Sequence, residues 1–155
     1  MSALPSLIIL GLIALIALAL TYKNSAPSNP VQLKAASTAL FIATIVQSIH
    51  CTEETVSGFP AKFPALFGLP AIPQSFFIGF NVMWIAIWLI AVPALRAGKP
   101  PAMFAAWFLA IAGIANGIAH PLLAIAAGGY FPGLLTSPFI GLAGIWLGRR
   151  LHRAA

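Results

Sequence analysis

The chain has 155 residues, of which 61% are hydrophobic and 6% charged, with a formal net charge of +6 and a mean hydropathy of +1.00. A soluble domain carries roughly a quarter charged residues, so this composition excludes a water-facing surface and leaves lipid as the main surroundings. The eight Lys and Arg residues sit in small groups between apolar runs rather than in a basic stripe, so nucleic acid is not an expected partner.

A membrane helix needs about 20 mainly apolar residues. The first such stretch covers residues 4–22. It has no positive n-region, and Lys23 follows the apolar run, so it reads as a retained helix rather than a signal peptide. The second stretch covers 35–54, and the third covers 75–95 with Pro93 near its end. The fourth starts at Pro101, a first-turn position that suits proline, and reaches 127. The fifth covers 131–147. Length and pattern therefore predict an all-α, single-domain membrane bundle of about five transmembrane helices over residues 1–155. The connection 58–74 holds Phe59, Phe63, Phe67 and four prolines. It is too apolar for a free loop, and is expected to lie in the interface or fold back over the outer mouth of the bundle.

With five spans, Lys23, Lys34, Arg96, Lys99, Arg149, Arg150 and Arg153 share one side and Lys62 stands alone on the other. The positive-inside rule then puts the N-terminus outside and the C-terminus in the cytoplasm. A four- or six-span arrangement splits these groups. His152 in the basic tail reads as a solvated residue near anionic headgroups.

The only acidic residues, Glu53 and Glu54, sit in the run His50-Cys51-Thr52-Glu53-Glu54. On a helix the offsets of three and four set both carboxylates beside the His50 imidazole, with Gln47 one turn earlier on nearly the same face. Cys51 is the sole cysteine and reads as a small packing residue, with no intrachain disulfide open to it. Helical rise puts Glu53 ~28 Å from the cytoplasmic end near Lys34, close to the outer boundary of a core about 30 Å thick. His120, with Asn116 four residues before it, falls at ~28 Å from Pro101, and Asn81 at ~22 Å from Arg96. Tyr130, Thr136 and Ser137 lie at the same outer level. Pro121 removes one backbone hydrogen bond and is expected to kink the fourth helix beside His120.

Buried ionisable groups in membrane spans usually mark function. His50, Glu53, Glu54 and His120 offer a ligand set suited to a divalent metal, zinc or iron. Without metal, two adjacent carboxylates in low dielectric cannot both ionise cheaply, which supplies an acid and a base in one site. Trp84 and Trp88 can line such a pocket, although packing or lipid-facing aromatics are the commoner outcome. Glu53 and Glu54 as a plain interfacial helix end, and Gln47, Asn81, Asn116 and His120 as interhelical hydrogen-bonding groups, are the structural alternatives. A proton or cation relay is a further alternative, but no polar file continues through the cytoplasmic half.

At these residues the chain resembles the HXXEE-domain family of small membrane proteins. The resemblance rests on His50 to Glu54, Gly58-Phe59-Pro60, Asn81, Asn116-Gly117 with His120, and the run from Tyr130 to Thr136. It covers about His50 to Ser137 and extends over a four-helix core at 35–149, with the N-terminal helix over 1–30 outside it. It implies that His50, Glu53, Glu54, Asn81, Asn116 and His120 belong to one site, and it names no activity. The expectation is a cell-membrane protein with an outer-leaflet site. The site is that of a metal-dependent or acid-base enzyme on a lipidic or terpenoid-like substrate. The alternative is a non-enzymatic transporter or metal/lipid-binding protein. Membrane lipids and an apolar small molecule are the expected partners.

Overall fold

The structure is a computed structural model that describes residues 4–23 and 29–154. Among the described residues it contains six helices and no strand: α1 (Leu4–Lys23), α2 (Pro30–Ser57), α3 (Phe59–Ala65), α4 (Gln74–Arg96), α5 (Pro100–Ala126) and α6 (Ser137–Ala154). Four of them, α1, α2, α4 and α5, are long and apolar enough to cross a membrane.

Local chemistry sets the ends of α2. Asn29 caps it by accepting the Val31 N–H at 2.9 Å, and Pro30 fills the first turn, where a missing N–H costs nothing. The helix stops at Gly58, which takes φ +86° and donates its N–H back to the Glu54 carbonyl. The helix thus runs longer at both ends than the expected 35–54, and the His50–Glu54 motif occupies its last turns. The proline-rich connection that follows forms the short α3. Its Phe63 packs with Ala124 and Phe131, so this segment folds back over the end of the bundle.

The bundle core is α2, α4, α5 and α6, with α5–α6 the most extensive pairing, while α1 lies against α5. Leu40, Leu95, Leu109, Ile140, Leu147 and Leu151 are wholly or almost wholly buried at its centre. Leu12, Leu15, Ile45, Ile49, Ile90 and Ile118 are exposed on the outside of the bundle. Glycines let α5 and α6 touch backbone to backbone. A Cβ on Gly117 would sit 2.8 Å from the Gly141 Cα, and one on Gly144 would sit 2.6 Å from the Ala110 carbonyl oxygen.

One expectation changes. The fifth helix begins at Ser137 rather than 131, because residues 131–136 form turns in which Phe131, Pro132 and Gly133 are buried. Its apolar part, 137–147, is only ~17 Å long, short of a full span. Pro121 lies inside α5. The helix continues through it to Ala126.

Candidate functional site

The motif's last turns meet α5 and the buried 131–136 segment. The two glutamates, adjacent in sequence, go to different neighbours. Glu53 turns to the connection before α6. Its Oε1 accepts from the Tyr130 hydroxyl at 2.8 Å and the Leu135 N–H at 3.1 Å. Its Oε2 accepts from the Thr136 N–H at 2.9 Å and the Thr136 hydroxyl at 2.6 Å. Four donors match the acceptor capacity of an ionised carboxylate. The carboxylate also satisfies two backbone N–H groups that no helix or strand serves. Tyr130 lies outside the spans, and burial, with the Glu53 charge beside it, pushes its phenol above the ordinary value, so it stays a donor at neutral pH. Glu53, expected among the metal ligands, has both oxygens engaged by these donors, and the side chains that converge are His50, Glu54 and His120.

Glu54 turns inward. Its Oε1 lies 3.7 Å from His50 Nε2 and 3.4 Å from His120 Nε2, and all three side chains are at least nine-tenths buried. The ligand atoms of this trio lie within 4.8 Å of one another, and the two imidazoles meet edge-on with centroids 4.8 Å apart.

The outer nitrogens decide the tautomers. His120 Nδ1 lies 2.6 Å from the Pro132 carbonyl oxygen, which only accepts, so Nδ1 carries the proton. His50 Nδ1 lies 2.7 Å from the Thr136 hydroxyl. That hydroxyl gives its single proton to Glu53, so it accepts from His50 Nδ1–H. In the neutral rings both Nε2 lone pairs then face Glu54, and His50 Nε2 is buried without a hydrogen-bond partner. In that state three acceptors converge.

Gly133 holds this geometry. It adopts φ +87°, and a Cβ there would come within 2.4 Å of His120 Cε1. Only glycine meets both demands.

A cavity of about 200 Å³ reaches the site. Glu54, His120, Asn116, Asn81 and Gln47 line it among apolar side chains of α1, α4 and α5. Trp84 and Trp88 also line it, with Trp84 stacked on Phe108 at 4.3 Å. The Asn116 side chain makes no hydrogen bond among the described residues, whereas Asn81 donates to the Phe77 carbonyl at 2.9 Å and accepts from the Cys51 thiol at 3.0 Å. So the six expected site residues separate into the trio His50, Glu54 and His120, the cavity amides Asn81 and Asn116, and Glu53 as a support behind His50.

A family model matches residues 6–147, most of the chain. The chain belongs to the family described as protein of unknown function with HXXEE motif. The match takes in α1, which the residues quoted for the resemblance did not reach. In the HXXEE chain, the motif's histidine and second glutamate form the buried trio with His120, while its first glutamate anchors the 131–136 segment. No curated protein and no solved structure matches the chain.

Three roles escaped sequence reasoning. Thr136 as the His50 acceptor and Pro132 as the His120 acceptor depend on pairings 86 and 12 residues apart. Cys51, expected only to pack, also links Gln47 to Asn81.

Proposed function

We propose that this HXXEE protein is a multi-pass enzyme of the cell membrane that uses a divalent metal held by His50, Glu54 and His120 to act on an apolar, lipid-like substrate. The observation that carries the reading is the convergence of two Nε2 lone pairs and one carboxylate oxygen, with both Nδ1–H groups engaged behind them. Metal-bound histidines characteristically donate their other N–H to a carbonyl or similar acceptor, which fixes tautomer and ring orientation. Tetrahedral ligands on ~2.05 Å bonds stand about 3.3–3.4 Å apart. The observed 3.4 and 3.7 Å separations suit that arrangement. The widest separation in the trio, within 4.8 Å, needs to close by no more than ~1.4 Å.

Two nitrogens and one oxygen suit zinc or iron, and such a metal supplies Lewis-acid polarisation of a substrate oxygen. The chain's own residues do the rest. Glu53, through the Thr136 hydroxyl, holds His50 in the ligating tautomer. Asn116, lining the cavity with its amide free, orients a polar group of the substrate. The apolar cavity excludes bulk water from the reacting end. In this reading α6, despite its short apolar part, completes a fifth crossing, which puts the N-terminus outside, the C-terminus in the cytoplasm and the site near the outer leaflet. The aromatic side chains of Trp84, Trp88 and Phe108 on the cavity wall favour a site over a transport pathway.

A metal-free acid-base site is the second reading, favoured by the unpartnered His50 Nε2 facing a carboxylate, where one proton can be shared. Metal analysis of detergent-purified protein separates the two. The metal reading expects one zinc or iron per chain, lost in His50→Ala, Glu54→Gln and His120→Ala. Substoichiometric metal in the wild type, unchanged in the three variants, sinks it.

A further inference from the structure

We infer that the cavity binds an uncharged, hydrocarbon-rich molecule bearing a hydroxyl, and that Gln47 reads that hydroxyl. A chain of hydrogen bonds with a fixed direction leads to Gln47. The Phe77 carbonyl only accepts, so Asn81 gives it an Nδ2–H at 2.9 Å, which leaves Asn81 Oδ1 as an acceptor. That oxygen takes the Cys51 thiol proton at 3.0 Å. With its proton spent, Cys51 Sγ accepts from Gln47 Nε2 at 3.1 Å. Gln47 Oε1 then remains as a bare acceptor. Gln47 is 94% buried by its 6% exposure, lines the cavity, and its Oε1 has no hydrogen-bond partner. A buried carbonyl oxygen in this state is costly until it meets a donor, and it rejects a ligand that brings none.

The other walls narrow the class. The lining holds no Lys or Arg, so at Gln47, two turns from the trio, a phosphate or carboxylate headgroup would find no cationic side chain. Leu7, Leu10 and Ile13 of α1 face Phe80, Trp84 and Trp88 of α4 across the space. α1 packs chiefly on α5 rather than on α4, which leaves the α1–α4 side as the route from the bilayer. Gln47 and Glu54 stand two turns apart on α2, ~10 Å, so a ligand hydroxyl at Gln47 leaves a second part of the molecule at the trio. The inference rests on the proposed metal centre only for what that second part meets.

The test uses the full chain in nanodiscs and a long-chain alcohol with a mid-chain diazirine. Photolabelling is expected on the cavity faces of α1 and α4, and Ala115→Trp, which fills the cavity, is expected to remove it. Unlabelled hexadecanol should compete about tenfold better than its methyl ether, which has no donor, and better than hexadecyl phosphate. Gln47→Leu should erase the alcohol-over-ether preference while metal content stays at the wild-type level. Equal competition by alcohol and ether, a preference that persists in Gln47→Leu, or labelling confined to lipid-facing positions such as Val82 and Ile90 overturns the inference. A wild type without metal that still prefers the alcohol sinks the metal centre and leaves the hydroxyl site standing.

Discussion

Glu53 and Glu54 carry the same functional group one residue apart, yet the fold gives one to a loop and the other to two imidazoles. The difference is testable at the residue scale. Glu53→Gln replaces two acceptor oxygens with one and turns an amide toward the Tyr130, Leu135 and Thr136 donors. Loss of such support behind a ligating histidine typically weakens metal binding 10–100-fold without abolishing it. Thr136→Val, which removes the His50 Nδ1 acceptor, should do the same. Competition against a chelator measures both, and affinities equal to wild type in both variants would remove Glu53 from the site. Gly133 offers a second case. Gly133→Ala should cost about 1–2 kcal/mol for the left-handed backbone alone. It should also displace His120, because the new Cβ meets that ring at 2.4 Å. Gly128→Ala, at φ +70° in open space, should show the backbone cost and keep full metal binding. The contrast in metal content between the two variants is the readout. His50 beside Glu54 was legible from helical offset alone, since four residues make one turn. Which glutamate turned inward was not, because it depends on where residues 130–136 lie.

The elements depend on close packing of α5 on α6. Gly117→Ala drives a Cβ to 2.8 Å from the Gly141 Cα, a backbone atom that cannot swing aside. Overpacking of this kind costs about 1–3 kcal/mol. Gly79→Ala on α4, with nothing within 4 Å of the new Cβ, should instead stabilise by about 0.5–1 kcal/mol. Unfolding in mixed detergent checks the pair, and a Gly117→Ala protein as stable as wild type would show that the helices can part without loss. The same contact carries the site, because His120 on α5 reaches Pro132 just before α6 begins. The long apolar runs of α1, α2, α4 and α5 were plain in the sequence. The late start of α6 was not. Apolar Phe131, Pro132 and Gly133 read as helix by composition, whereas the Glu53 carboxylate satisfies the N–H groups of the turns that follow them.

For the whole molecule, the distribution of basic residues leads to a topology prediction. In a Cys51→Ser background, a cysteine at Lys62 should react with a membrane-impermeant maleimide from outside intact cells, and one at Lys99 should react only after the membrane is opened. The reverse pattern would invert the orientation, and equal external labelling of both would break the five-helix reading. What the sequence by itself determined is a helical bundle with helices long and apolar enough to cross a membrane, from hydropathy, and His50 and Glu54 on one face of α2, from helical periodicity. Both are local properties of the chain, set by backbone geometry and by transfer from water. Only the tertiary structure decided that His120 joins His50 and Glu54, that Glu53 turns to residues 130–136, and that Gln47 Oε1 stays without a partner beside the cavity. Those outcomes rest on contacts such as Glu53 with Tyr130, 77 residues apart. The backbone-close approach of α5 and α6 then decides which of several nearby polar groups each carboxylate meets.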